Sequence, residues 1–215
     1  EFYRALRKTR ALLAEPLLVD IFPVSDPQNI GAQFLRRGLV VSVFSALEAY
    51  LERIVERLLS QIGSATLSYN ALPLELRRVI TVDALVGVAT RMAFLDRTDR
   101  QSFAEVQITR LSGYQENPPA YTAFGFSPKG SNISHEDVKT LFQSFGISDV
   151  WGKLSSIASK IGASRISLLD DFKNFSNDRN KCAHDPSYVI ATGDLDAHLD
   201  ACSIIAMSAD ILCMK

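Results

Sequence analysis

Leu47, Tyr50, Leu51, Ile54, Val55, Leu58, Leu59 and Ile62 recur at i, i+3, i+4 and i+7 without a miss, and no other run limits the fold as strongly. Only a helix of 3.6 residues per turn gathers all of them on one face. Glu48, Glu52, Arg53, Glu56 and Arg57 fall on the other face, so this is an amphipathic helix with one side to bury. The preceding "LVVSVFSAL" is apolar nearly all round, as burial on several sides requires. Ser25 or Asp26 offers an N-cap and Pro27 a first-turn residue, so the helix is expected over about 27 to 62.

Other segments read the same way. Phe2, Leu6 and Leu13 line one side of a short N-terminal helix that Pro16 and Pro23 interrupt. Pro73 opens the helical run "PLELRRVITVDALVGVATRMAFL", and a weaker helix follows from Asp99 to about Leu111. Ser134 with Asp137 forms a capping-box start for "HEDVKTLFQSF", which Gly146 ends. Asp149 begins a short helix through Trp151 to Ile161, and from Ser164 the residues Ile166, Leu169, Phe172 and Cys182 or Ala183 lie near helical spacing. Thr192 or Asp194 caps a last helix whose stripe includes Leu195, Leu199, Cys202, Ala206 and Ala209.

Between these, "SGYQENPPAYTAFGFSPKGSN" mixes prolines and glycines with aromatics, so residues 113–134 read as an ordered, loop-rich excursion. No stretch alternates like a strand. The expectation is an all-α helical bundle, a single domain over residues 1–215, built on the helices at 27 to 62 and 194 to 213.

The 47% apolar composition excludes a disordered chain, and a net charge of −1 means that any anionic partner must be held locally. Arg36, Arg37, Arg77, Arg78, Arg91, Arg97, Arg100 and Arg110 offer a basic surface, although such a pattern is more commonly a solvated helix face. Three cysteines without CxxC spacing suit free thiols in a reducing cytoplasm. No apolar run reaches the roughly 20 residues of a membrane span. Residue 1 is Glu, which leaves open a missing N-terminal portion.

Phosphate loops, dinucleotide turns, HExxH and GxSxG are absent. His135, His184 and His198 lie in separate segments without ligand spacing, so neither a metal nor a cofactor is expected. His135, after a helix start, and His198, flanked by Asp196 and Asp200, are expected at the surface.

What remains is "NDRNKCAHDP", residues 177–186. Arg179 and His184 are five apart, so their directions on a helix differ by about 140°, whereas Asn180 and His184 share a face. Pro186 turns Asp185 away from helical dihedrals and leaves His184 in the last turn, at the negative end of the helix dipole. Histidine there suits proton transfer, and arginine supplies a planar, permanent charge for phosphate. An arginine and a histidine near a helix end are more often capping and surface residues.

"RNKCAH" resembles the R-x4-6-H motif of the HEPN superfamily, α-helical domains in which the motif lies at the end of a long helix. "LVVSVFSALEAYLERIVERLL" resembles the long second helix of these domains, and "NISHEDVKTLFQSFGISDVW" a segment of the RiboL-PSP-associated HEPN branch. The resemblance covers most of residues 34 to 213. It implies a HEPN-type bundle with long antiparallel helices, and a metal-independent endoribonuclease of the toxin or antiviral-defence kind. The site would be shared across a homodimer, which relieves the 140° separation because the cooperating side chains come from two chains. By this resemblance Arg179 stabilises phosphate charge, His184 acts as acid or base and Asn180 orients the phosphate or the histidine. The reaction is 2′-hydroxyl attack leaving a 2′,3′-cyclic phosphate, with RNA as partner and an antitoxin or fused sensor domain holding the enzyme silent. Glu48, where the family often has an acidic residue, would hold Arg179. Asp185 departs from the family, which often has glycine there; its carboxylate would raise the histidine's proton affinity or repel phosphate. The alternatives are a non-catalytic HEPN dimerisation module that binds a nucleotide, RNA or protein, and a monomeric structural bundle.

Overall fold

The computed structural model describes residues 1–65, 67, 69–79, 81, 84–112, 133–163 and 167–214. Among these every regular element is helical and none is a strand: α1 (Phe2–Leu13), α2 (Ile30–Ser64), α3 (Leu74–Arg78), α4 (Ala84–Met92), α5 (Arg97–Ser112), α6 (His135–Gln143), α7 (Val150–Lys160), α8 (Leu168–His184) and α9 (Thr192–Cys213), with short 3-10 turns between some of them. The all-α expectation is met. The excursion expected at 113–134 falls almost wholly outside the described residues, as do Ser164 and Ile166.

The chain forms two compact units, Glu1–Tyr50 with Trp151–Lys215, and Leu51–Val150. In the second, Leu51, Ile54, Val55 and Leu59 of the periodic face of α2 are buried while Glu52, Arg53, Glu56 and Arg57 are exposed, as the spacing requires. The Pro73 run contains α3 and α4, and residues 80, 82 and 83 between them lie outside the described residues. Ser134 caps α6 by accepting from the Asp137 N–H (3.1 Å), and Asp137 answers the Ser134 N–H (2.8 Å). Gly146, at φ +81°, adopts the left-handed conformation that ends such a helix.

In the first unit α1 packs on α9, and α9 on α8. Phe2, Leu6 and Leu13 are the buried residues of α1, as patterned. Phe2 stacks on Tyr50 at 4.4 Å, and the Tyr3 hydroxyl donates to Asp210 at 3.1 Å. Arg10 donates to Asp196 at 3.0 Å and also grips Asp200, one turn further along α9. Because Asp196 and Asp200 face Arg10, His198 points the opposite way. Two residues turn a helix by about 200°. His198 is therefore buried, at 7% exposure, and not at the surface as expected.

Phe44 of α2 meets the rings of Phe172 and Phe175 of α8 at 5.7 and 5.1 Å, and Trp151 meets Phe172 at 5.3 Å. Such aromatic clusters contribute both area and edge geometry. Before α2, Asp26 accepts from the Gln28 N–H (2.8 Å) over a 3-10 turn, Pro27–Asn29, and the α-helix proper begins three residues later than the sequence suggests. Asn29, buried, receives the Ile21 N–H (3.0 Å) and donates to the Ile21 and Val24 carbonyls (2.7 and 3.0 Å).

Arg36 is not part of a basic surface: it has no accessible area at all. Its guanidinium pairs with Asp20 and donates to the Leu18 carbonyl (2.7 and 3.1 Å) and the Ile190 carbonyl (3.3 Å). Asp20 in turn accepts from the Thr192 N–H at 3.0 Å, and the Thr192 hydroxyl donates to Leu18 at 2.7 Å. One buried charge thus ties α2, the segment before it and the start of α9. Arg36→Met is expected to cost about 3–5 kcal/mol, because it strands the Asp20 carboxylate. Urea unfolding should show this, and Arg36→Met with Asp20→Asn should lose less than the two single changes summed.

Candidate active site at the end of α8

The residues singled out in "NDRNKCAHDP" all lie in the first unit, on α8 and just beyond it. Ser167 caps the start of α8 by accepting from the Asp170 N–H (3.2 Å), with Asp170 and Asp171 in the first turn and Lys181 and His184 in the last. That charge order suits the helix dipole at both ends. The buried stripe runs Leu168, Phe172, Phe175. Four residues on, the next place on that stripe is Arg179.

This register explains the arginine's surroundings. Arg179 is half-buried, its Nε enclosed and without a hydrogen-bond partner, while its Nη1 donates to the Asn180 side-chain oxygen at 3.3 Å. Asn180 is exposed, and so is His184, the last residue of α8. The roughly 140° between Arg179 and His184 is thus realised as two faces, one against the core and one toward solvent. The structure joins Arg179 to Asn180, which lies one turn before His184 on the exposed face.

Glu48 is half-buried on α2. Arg37 of α2 reaches the segment after α8, while Phe44 meets Phe172 and Phe175, so the two helices run in opposite directions. From Phe44 to Glu48 the chain therefore climbs about 6 Å away from the end that carries Arg179. The structure does not bring Glu48 to Arg179.

Asp185 is at the C-cap, extended at φ −115° and ψ 101°. Its carboxylate accepts from the Ser187 N–H (2.9 Å) and hydroxyl (2.5 Å). These bonds from Ser187 hold its pKa below the ordinary carboxylate value, with Arg37 adding a smaller pull. Asp185 is thus the hub of a turn, and its charge is engaged by its own segment.

A second group, absent from the sequence expectations, stands beside Arg179. Asp178 accepts from the Tyr188 hydroxyl at 2.7 Å and lies 3.0 Å from His198 Nε2. The His198 ring stacks on Phe175 at 4.5 Å. Burial, and then the bond to Asp178, push the Tyr188 hydroxyl's pKa up. The sequence did contain a signal for His198: it falls between Leu195 and Leu199, on the stripe that α9 buries. A cleft of about 340 Å³ on this side is lined by Asp171, Asn174, Asp178, Lys181, Asp194 and His198, among others. Among the described residues no three His, Cys, Asp or Glu side chains are grouped to hold a metal ion, and no helix is long and apolar enough to cross a membrane.

An all-α unit that displays an arginine and a histidine around an exposed helix end is the class of domain these features define. The family model described as RiboL-PSP-HEPN matches residues 16–206, and the chain belongs to that family, within the HEPN superfamily. No curated protein and no solved structure matches the chain.

Two outcomes follow from the geometry. Cys182, between Arg179 and His184, has its thiol pKa pushed up to about 11 by burial first and by Asp178 second. At pH 7.5 its alkylation by iodoacetamide should be roughly 100-fold slower than that of an unhindered thiol, as mass spectrometry of the peptide can show. Asp185 should titrate below about 3.9 in an NMR pH series, so the turn's contribution is present above that value and is lost as pH falls through the lowered pKa. Ser187→Ala should return the Asp185 pKa toward the ordinary value.

Proposed function

We propose that this protein is an endoribonuclease whose site is built around Arg179 and His184. What supports this is an R-x4-H stretch at an exposed helix end in a chain of the RiboL-PSP-HEPN family. RNA supplies its own nucleophile. The ribose 2′-hydroxyl gives up its proton to a base as O2′ bonds to phosphorus, and the bond from phosphorus to O5′ breaks. The leaving oxygen takes a proton from an acid, so the products carry a 2′,3′-cyclic phosphate and a 5′-hydroxyl.

His184 is the group for proton transfer, since its imidazole can both take and give a proton and it is exposed at the helix end. Arg179 answers the charge that builds on the phosphate, with Asn180 holding one arm of the guanidinium. We assign the complete site to a homodimer, because Arg179 and His184 of one chain point about 140° apart and a second helix end facing the first brings both groups to one phosphate. The same proposal takes the enzyme to be of the toxin or antiviral-defence kind, restrained by an antitoxin or a fused sensor domain.

Purified protein incubated with RNA in EDTA should cut it and leave cyclic phosphate ends. His184→Ala and Arg179→Ala should each lower the rate by at least about 100-fold. Intact RNA, or cleavage unchanged in His184→Ala, overturns the assignment. RNA binding without turnover, insensitive to Arg179→Ala, would instead make the chain a non-catalytic HEPN module.

A further inference from the structure

The residues that leave α8 are held from several sides. Asp185 closes its own turn through Ser187, and the Tyr188 N–H donates to the Asp185 carbonyl at 3.1 Å. The Tyr188 hydroxyl returns to Asp178 of α8 at 2.7 Å, with Lys181 Nζ 5.0 Å over its ring. At the far end the Ile190 N–H donates to Gln33 at 2.9 Å. From α2, Arg37 Nη1 donates both to the Pro186 carbonyl and to the Tyr188 carbonyl, the latter at 3.3 Å.

The last turn of a helix carries carbonyls without intrahelical partners and frays readily. A group that must meet a phosphate from that turn is therefore placed only as well as the chain that follows it. Arg37 grips that chain two residues after His184. Its neighbour Arg36 serves the fold from full burial, whereas Arg37, about 100° round the helix, is half-buried, and its hydrogen bonds among the described residues go to the exit segment.

We propose that Arg37 is a positioning residue for His184: by bridging the Pro186 and Tyr188 carbonyls it holds the end of α8, and with it the imidazole, in one place. This rests on the ribonuclease assignment of the same helix end.

The test uses the full chain with a short RNA, comparing native protein, Arg37→Met and Arg37→Lys. The reporters are kcat, KM and the His184 Cε1–H signal by NMR, with His135 as reference. Arg37→Met should lower kcat at least about 10-fold with KM within about twofold, and should shift or broaden the His184 signal while His135 stays. Arg37→Lys should recover part of both. Unchanged kcat with an unmoved His184 signal overturns the proposal. A raised KM with unchanged kcat also does so, because it makes Arg37 a contact to RNA instead. Should the native protein fail to cut RNA, the ribonuclease assignment falls and the NMR comparison alone decides: a displaced His184 signal supports the clamp, and an unmoved one overturns it. If Arg37→Met does not fold, Arg37→Gln, which is shorter and uncharged and cannot span both carbonyls, is read by the same outcomes.

Discussion

One buried cation ties together the chain segments that flank α2 and α9 in the first unit. A guanidinium with no accessible surface is tolerated only where its charge and its donors are answered. Arg36 finds Asp20 for the charge and the Leu18 and Ile190 carbonyls for the donors. Those partners belong to two stretches far apart in sequence, the chain before α2 and the connection between α8 and α9, and Asp20 ties the first residue of α9 to the same group. Satisfying one side chain therefore sets where the connection after α8 ends. The exit from α8 is short, 185–191, so fixing Ile190 at one end and His184 at the other leaves it little freedom.

The proposed chemistry sits where that constraint is passed on to a helix terminus. Arg179 takes the stripe position after Phe175, so its stem is enclosed by the core and its head emerges beside Asn180. His184 lies off the stripe and in solvent. The same helix thus offers a rigidly based charge and an accessible imidazole, which phosphate chemistry asks of two different environments. Asp185, which looked like an intrusion beside the histidine, is occupied by Ser187 and shapes the turn instead.

Several features were legible without coordinates because they rest on local rules. The stripe of α2, the three buried residues of α1 and the capping box at Ser134 and Asp137 each follow from helix period or from hydrogen bonds within four residues. His198 was legible in principle, since its spacing from Leu195 and Leu199 is that of a buried face. The two flanking aspartates suggested a surface position, although residues two apart face opposite ways. Arg36 and Arg37 were not distinguishable, because adjacent arginines carry the same chemistry and only packing decides which one enters the core. Glu48 near Arg179 was an expectation about neighbouring helices, and it failed on direction: α2 and α8 run oppositely, so the turn after Phe44 leads away from the motif.

By itself the sequence determined the all-α class, the faces of the long helices and the stretch where an arginine, an amide and a histidine crowd a helix end. These depend on periodicity and on short-range sterics, which neighbouring residues impose on one another. Only the tertiary structure decided that Arg36 is a buried clamp, that Arg37 and Asp178 hold the residues after His184, and that Asp185 spends its charge on Ser187. Each of those outcomes requires side chains from distant parts of the chain, or a choice among several nearby donors. Such pairings are selected by burial and by the need to satisfy every enclosed polar group, a condition set by the whole fold.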